Sequence, residues 1–296
     1  MQTVAFIGLG NMGQGMAANQ VRAGRTVAAF DLSAENLKRA EKNGCKPAAS
    51  VAAAVVNAEA VITMLPAGAH VQSVYEEVIG AAPAGCLLVD CSTIDVTTAR
   101  AVAARARETG YRAADAPVSG GTAAADAGTL TFMVGCEAGD FGAVDEALGP
   151  MSKTVIHAGD SGAGQAAKIC NNMLLAISMI GTCEAMALAE KLGLAQDRFF
   201  DIASVSSGQS WSLTSYCPVP GVGPESPADR NYAPGFAVDM MLKDLKLAQA
   251  AAASSGATTP LGGQAEALYA MFSSMGEGGR DFSAIIELMW PGRTKR

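Results

Sequence analysis

Apolar and polar positions alternate in blocks along the first third of the chain. Val4-Ala5-Phe6-Ile7 is a continuous apolar run, the mark of a strand buried on both faces. A helical stretch follows in which Met16, Ala17 and Val21 share an inward face, closing at Gly24, and Thr26 to Phe30 reads as a second strand. The pattern then predicts helices over Ala34 to Asn43 and Ser50 to Asn57, and a strand over Ala60 to Leu65 that Pro66 stops. A helix around Val71 to Ile79, a strand over Cys86 to Cys91 and a helix from Asp95 to Thr109 come next. Such alternation predicts an α/β fold with a mostly parallel sheet, doubly wound and covered on both faces. Segments 112–116, 130–135 and 153–157 read as further strands of that sheet, with a helix over Asp140 to Leu148. From Gly164 to Leu192 the pattern is that of one helix, about 40 Å long, ending at Gly193. Everything beyond is helical in pattern except Pro218 to Pro234, whose Pro and Gly content predicts a loop. Two domains are expected, 1–162 built on the sheet and 163–296 all-helical, beginning with the long helix.

The turn between the first strand and first helix, Gly8-Leu9-Gly10-Asn11-Met12-Gly13, has the form that brings a pyrophosphate against the free amides and positive end of a helix. A side chain at Gly8 or Gly10 would block that approach, and Gly13 lets helix and strand lie close. Asp31 ends the second strand about twenty residues on, where a carboxylate accepts the ribose hydroxyls of an adenosine. The same carboxylate repels a 2'-phosphate, and Leu32 and Ser33 follow it instead of an arginine, so NAD is expected over NADP. Ligands on such sheets collect at the carboxyl ends of the strands, which adds Leu65-Pro66 and Ser92-Thr93 to the expected wall of this site.

Composition narrows the classes. With 21 basic and 28 acidic residues in 296, no basic run and few aromatics, a nucleic-acid surface is not expected. No charged leader precedes an apolar stretch, and the apolar run Met173 to Cys183 falls short of a membrane span, so the expectation is a cytoplasmic protein without a membrane role. Seven scattered cysteines without a C-x-x-C pair fit reduced thiols, and two histidines leave a zinc site little to work with, so no metal is expected.

Oxidation of an alcohol by a nicotinamide cofactor requires a base for the hydroxyl proton. No Tyr-x-x-x-Lys pair exists, and His157 reads as a structural histidine in a strand. Lys168 is the remaining candidate. It stands near the start of the long helix among Ala166, Ala167, Ile169 and Cys170, where desolvation would lower its pKa toward neutrality. Asn172, at i+4, shares its face, and Asn171 lies close. The alternative is a snorkelling lysine on a helix face. Asp115-Ala116-Pro117-Val118-Ser119-Gly120-Gly121 is a second glycine-bearing turn whose hydroxyl and amides could hold a carboxylate, or simply a tight turn. Lys243-Asp244 offers a second cation, or a surface pair with Asp239.

Taken in order, the segments Phe6 to Gly13, Asp115 to Gly121, Lys168-Ile169-Cys170-Asn171-Asn172 and Lys243-Asp244-Leu245 resemble the beta-hydroxyacid dehydrogenase family over essentially the whole chain. Ser206-Ser207-Gly208-Gln209-Ser210-Trp211, followed by Pro218-Val219-Pro220-Gly221-Val222, is similar to its 3-hydroxyisobutyrate dehydrogenase branch. Gln209-Ser210 departs from the Arg-Cys common there. The resemblance implies a Rossmann-type domain joined by the long helix to an all-helical domain, in a homodimer or homotetramer. It implies NAD-dependent oxidation of (S)-3-hydroxyisobutyrate to methylmalonate semialdehyde, a step of valine degradation. Lys168 would be the acid/base, with Asn172 orienting the substrate. Ser119, Gly120, Gly121, Lys243 and Trp211 would bind the substrate, and Gly8, Leu9, Gly10, Asn11, Met12, Gly13, Asp31, Leu65, Pro66, Thr93 and Lys243 would contact the cofactor. A sister enzyme reducing tartronate or succinic semialdehyde, or a non-enzymatic dinucleotide binder, are the alternatives.

Overall fold

The computed structural model describes residues 1–290; residues 291–296, the end of the second expected domain, lie outside the described residues. Contacts divide the chain into two compact units, Met1–Lys168 and Ile169 onward.

The first unit alternates strand and helix as its apolar blocks dictate. It runs β1 (Thr3–Ile7), α1 (Asn11–Arg22), β2 (Thr26–Phe30), α2 (Ala34–Lys42), β3 (Lys46–Pro47), α3 (Val51–Val55), β4 (Ala60–Thr63), α4 (Gly68–Ala81), β5 (Leu87–Asp90), α5 (Val96–Glu108) and β6 (Arg112–Asp115). β7 (Val118–Ser119), α6 (Gly121–Ala127), β8 (Leu130–Gly135), α7 (Phe141–Leu148) and β9 (Ser152–Gly159) complete the sheet. The strand order is β3-β2-β1-β4-β5-β6-β8-β7, with β9 on β8. From β3 to β6 every pairing is parallel; β8 runs antiparallel to β6 and β7, and β9 parallel to β8.

Period-two alternation sends each strand's side chains into two cores. Val4, Phe6, Ile62, Leu87 and Val89 pack on one face, and Ala5, Ile7, Val61 and Leu88 on the other. Helices cover both faces, so the strands read as unbroken apolar runs. The order reverses between β1 and β4, and the carboxyl ends beside that reversal are where such a sheet opens a crevice for ligands.

The long helix α8 spans Ala163–Lys191. The sequence assigns it wholly to the second domain, yet residues Ala163 to Lys168 belong to the sheet unit, because their first turn is hydrogen-bonded to β6. Among the described helices α8 alone is long and apolar enough to cross a membrane. Its Gln165 and Asn172 are instead buried with protein hydrogen-bond partners, as in a core helix.

In the second unit the rest of α8 is followed by α9 (Gln196–Ala203), α10 (Trp211–Thr214), α11 (Val238–Ser255), α12 (Pro260–Phe272) and α13 (Ile286–Met289). The core gathers Met179, Cys183 and Met186 of α8 with Met241 and Leu245 of α11, Tyr269 and Phe272 of α12, and Phe282. The Pro218 to Pro234 segment is mostly irregular, interrupted by one short turn at Pro227–Arg230 that Ser226 and Asp229 cap reciprocally.

Candidate active site

The glycine turn after β1 is set by close backbone packing. Gly8 has φ of 94°, and a Cβ there would lie 2.3 Å from the Met64 carbonyl oxygen; a Cβ on Gly13 would lie 2.0 Å from that of Gly8. Gly10, the N-cap of α1, differs, since a Cβ there would meet nothing within 4 Å. No side chain caps α1 and its first turn holds no acid, so its orphan amides and positive end face open space. An unobstructed approach to a helix N-terminus at a strand-order reversal fits a pyrophosphate. Across the turn, Asp31 accepts the Leu9 amide at 2.6 Å and the Ser33 amide at 2.7 Å, which fixes its carboxylate beside the turn. Asn36 donates to the same group at 3.2 Å. Asn11 and Met12 open α1, and Leu32 is almost fully exposed next to Asp31.

The ends of β4 and β5 are tied together. Ser92 accepts the Leu65 amide at 2.8 Å, and its hydroxyl donates to Asp90 at 2.5 Å; Thr63 donates to the same carboxylate oxygen at 2.7 Å. Leu65-Pro66 and Thr93 thus occupy two loops joined through one serine. Burial raises the Asp90 carboxyl to about 6, against the pull of these hydroxyls, and its Oδ2 has no hydrogen-bond partner among the described residues.

Asp115 pairs with Asp90 in the β5–β6 register. Its carboxylate accepts the amides of Gly162 at 2.6 Å and Gln165 at 2.8 Å, capping α8 from a strand 47 residues away. Burial raises its pKa and these amides oppose the rise. A Cβ at Gly164 would strike the Met133 carbonyl oxygen at 2.3 Å, so the helix start lies against the sheet. Lys168, one turn on, is 7 % exposed. The second glycine turn stands at the end of β7. Ser119 is half-buried, and Gly120 and Gly121 hold φ of 134° and 68°, conformations that glycine adopts without strain.

In the helical unit Asn172 is buried, and its side-chain amide donates to Asp244 at 2.5 Å. Asp244 is buried on α11, and Asp239, one turn before Lys243, accepts from the Ser273 hydroxyl at 2.6 Å. Lys243 is partly exposed beside Asp244. Trp211, on α10 of the same unit, is half exposed and stacked at 4.8 Å on Tyr216, which stacks on Phe282. Behind the stack lies Asp281, fully buried, accepting from the Tyr216 hydroxyl, the amides of Gly235, Phe236 and Ser283, and the Ser283 hydroxyl. Ser210, where the resembled branch often has cysteine, caps α10. His157 contacts the Cys136 carbonyl at 2.9 Å and Phe141, a structural role. Among the described residues no cluster could hold a metal ion.

Sequence reading missed Gln165, Asp244 as the partner of Asn172, Tyr216 and Asp281. Each acts through partners distant in sequence, so no local pattern marks them.

Comparison with known proteins places this geometry. Residues 3–159 match the NAD binding domain of 6-phosphogluconate dehydrogenase, and residues 162–289 the NAD-binding domain of NADP-dependent 3-hydroxyisobutyrate dehydrogenase. The chain is 47 % identical to the 3-hydroxyisobutyrate dehydrogenase of Pseudomonas aeruginosa, covering 97 % of this chain and 98 % of that one. It is 46 % identical to the NAD-dependent L-serine dehydrogenase of the same organism, covering 98 % and 99 %. A solved structure of Mycobacterium tuberculosis 3-hydroxyisobutyrate dehydrogenase with L-serine superposes with a TM-score of 0.95 at 46 % identity, over 98 % of this chain and 99 % of that one. NAD is the cofactor and a hydroxy acid CH–OH the group oxidised. The chain belongs to the beta-hydroxyacid dehydrogenase family.

Proposed function

We propose that this enzyme oxidises (S)-3-hydroxyisobutyrate to methylmalonate semialdehyde, a step of valine degradation. The observation that carries the reading is a buried lysine, Lys168, one helical turn before an asparagine whose amide is held by a buried carboxylate. Lys168 accepts the proton of the substrate hydroxyl as the C3–H bond breaks with its electron pair. Bound NAD supplies the hydride acceptor. Asn172, fixed by Asp244, directs its remaining hydrogen-bonding capacity at the same hydroxyl. The Ser119 hydroxyl and the amides of Gly120 and Gly121 are the proposed carboxylate binders, and Lys243 and Trp211 are further proposed substrate contacts. The glycine turn 8–13, Asp31, Leu65, Pro66 and Thr93 hold the dinucleotide, and Asp31 disfavours the 2'-phosphate of NADP.

L-Serine is the second reading. It is also a β-hydroxy acid, and it figures in the name of a relative and of a solved structure at the same identity. A homodimer or homotetramer is proposed as the working form, supported by Leu174 and Leu188 exposed on one helix. The cytoplasm is the proposed compartment, in keeping with seven free cysteines, six of them buried.

Initial rates of NADH formation with (S)- and (R)-3-hydroxyisobutyrate, L-serine, D-glycerate and 4-hydroxybutyrate test the substrate. A kcat/KM lead for the (S)-isomer is expected; a lead for L-serine or another acid moves the enzyme to a sister branch. Lys168→Ala is expected to lower kcat by ~10²–10⁴ with NAD affinity kept. Parental turnover in that variant at neutral pH would reject the lysine's role.

A further inference from the structure

We infer that Gln165 is a positioning residue for this reaction, its side-chain amide clamping the loop that carries Thr93 onto the helix that carries Lys168. The inference rests on Lys168 being the proton acceptor. Gln165 is 0 % exposed. Its Nε2 donates to the Ser92 carbonyl at 2.7 Å, and its Oε1 accepts the Ile94 amide at 3.1 Å. One side chain therefore holds the backbone on both sides of Thr93, using one donor and one acceptor. Lys168 follows at i+3 on the same helix, close to the same face.

This clamp is separable from the attachment of the helix. Asp115 binds the backbone amides of Gly162 and Gln165, which any residue other than proline at 165 retains. Ser92 is anchored independently to Asp90 and Leu65 through its hydroxyl. Replacing the Gln165 side chain leaves both attachments in place. What is lost is the register between the Thr93 loop and the first turns of α8. The clamp needs one donor and one acceptor at this reach. Asparagine is a methylene short, methionine offers neither group, and an ionised glutamate has no donor for Ser92. A displacement of about 1 Å between reacting groups costs about 10²-fold in rate.

The test measures kcat, KM for the hydroxy acid and NADH affinity by fluorescence titration for Gln165→Met and Gln165→Glu, with Lys168→Ala assayed alongside. Gln165→Met is expected to fold and bind NADH within ~3-fold of the parent while kcat falls ~30- to 100-fold. Gln165→Glu supplies a signature that general destabilisation would not. Its neutral carboxyl both donates to Ser92 and accepts from Ile94, whereas its ionised form only accepts. The ionisable groups on the segments joined to it are Asp90, which accepts from Ser92, Asp115, which accepts the backbone amide of residue 165, and Lys168 on its own helix. Its kcat relative to the parent enzyme should therefore climb as pH is lowered from 8.5 to 5.5. If Gln165→Met does not fold, this pH ratio carries the test. A kcat within 2- to 3-fold of the parent in Gln165→Met, or a flat ratio in Gln165→Glu, overturns the inference while Lys168→Ala remains inactive. Parental kcat in Lys168→Ala overturns instead the lysine assignment beneath it.

Discussion

In the sheet unit the groups proposed to meet ligands are largely backbone amides, set by glycines after β1 and β7. In the helical unit the groups proposed to meet the substrate are side chains, Asn172 and Trp211 among them, each backed by a buried aspartate at one or two removes. A backbone site is limited by space and fails at the addition of one methyl group. A side-chain site tolerates its neighbours' volume but depends on the acid behind it, whose partners come from distant parts of the chain.

Gly13→Ala breaks this contrast most severely. Its methyl would sit 2.0 Å from a backbone oxygen that nothing flexible can move, so the variant is expected not to give folded protein by circular dichroism. A soluble variant with parental Tm would refute the backbone half of the comparison. Asp281→Ala tests the other half. It strips a buried hub of five donors, and chemical denaturation is expected to show a loss of about 3 kcal/mol or more, with Tyr216 and Trp211 fluorescence altered. Gly10→Ala sharpens the comparison, because the protein has room for that methyl and a bound pyrophosphate does not. Its Tm should match the parent while Kd for NADH rises ~10- to 100-fold.

Asp90→Asn has the smallest expected effect and a definite sign. Burial raises the folded carboxyl to about 6, above an unfolded value of about 3.9. The folded protein thus keeps a proton that the unfolded chain releases, and stability falls as pH rises from about 4 to about 6 and stays low above. An amide removes that cost. Tm should rise by ~3 °C at pH 8 and be unchanged near pH 4; an equal shift at both would show that charge is not the cause.

The glycine turn, Asp31 and the alternating strands were legible because each depends on neighbours within about twenty residues. Asp115 shows the limit. Its motif drew attention to a turn, but its carboxylate serves a helix 47 residues on, and only the β5–β6 register places it there. Gln165 carries no local mark of its role, since its partners lie more than 70 positions earlier. Asp281 lies 65 positions beyond Tyr216, with no repeat or spacing to join them. The antiparallel placement of β8 was likewise silent, for alternation fixes which face a side chain takes and not which way the next strand runs.

The margins of the sheet carry a consequence for the protein at high concentration. On one side it stops at β3, two exposed residues of which Pro47 has no amide to donate and Lys46 carries a charge. On the other, β9 departs from regular pairing with β8 at two points and presents Lys153 and His157. A two-residue edge with a proline at one margin, and a charged, irregular edge strand at the other, both work against another chain's strand growing on the sheet.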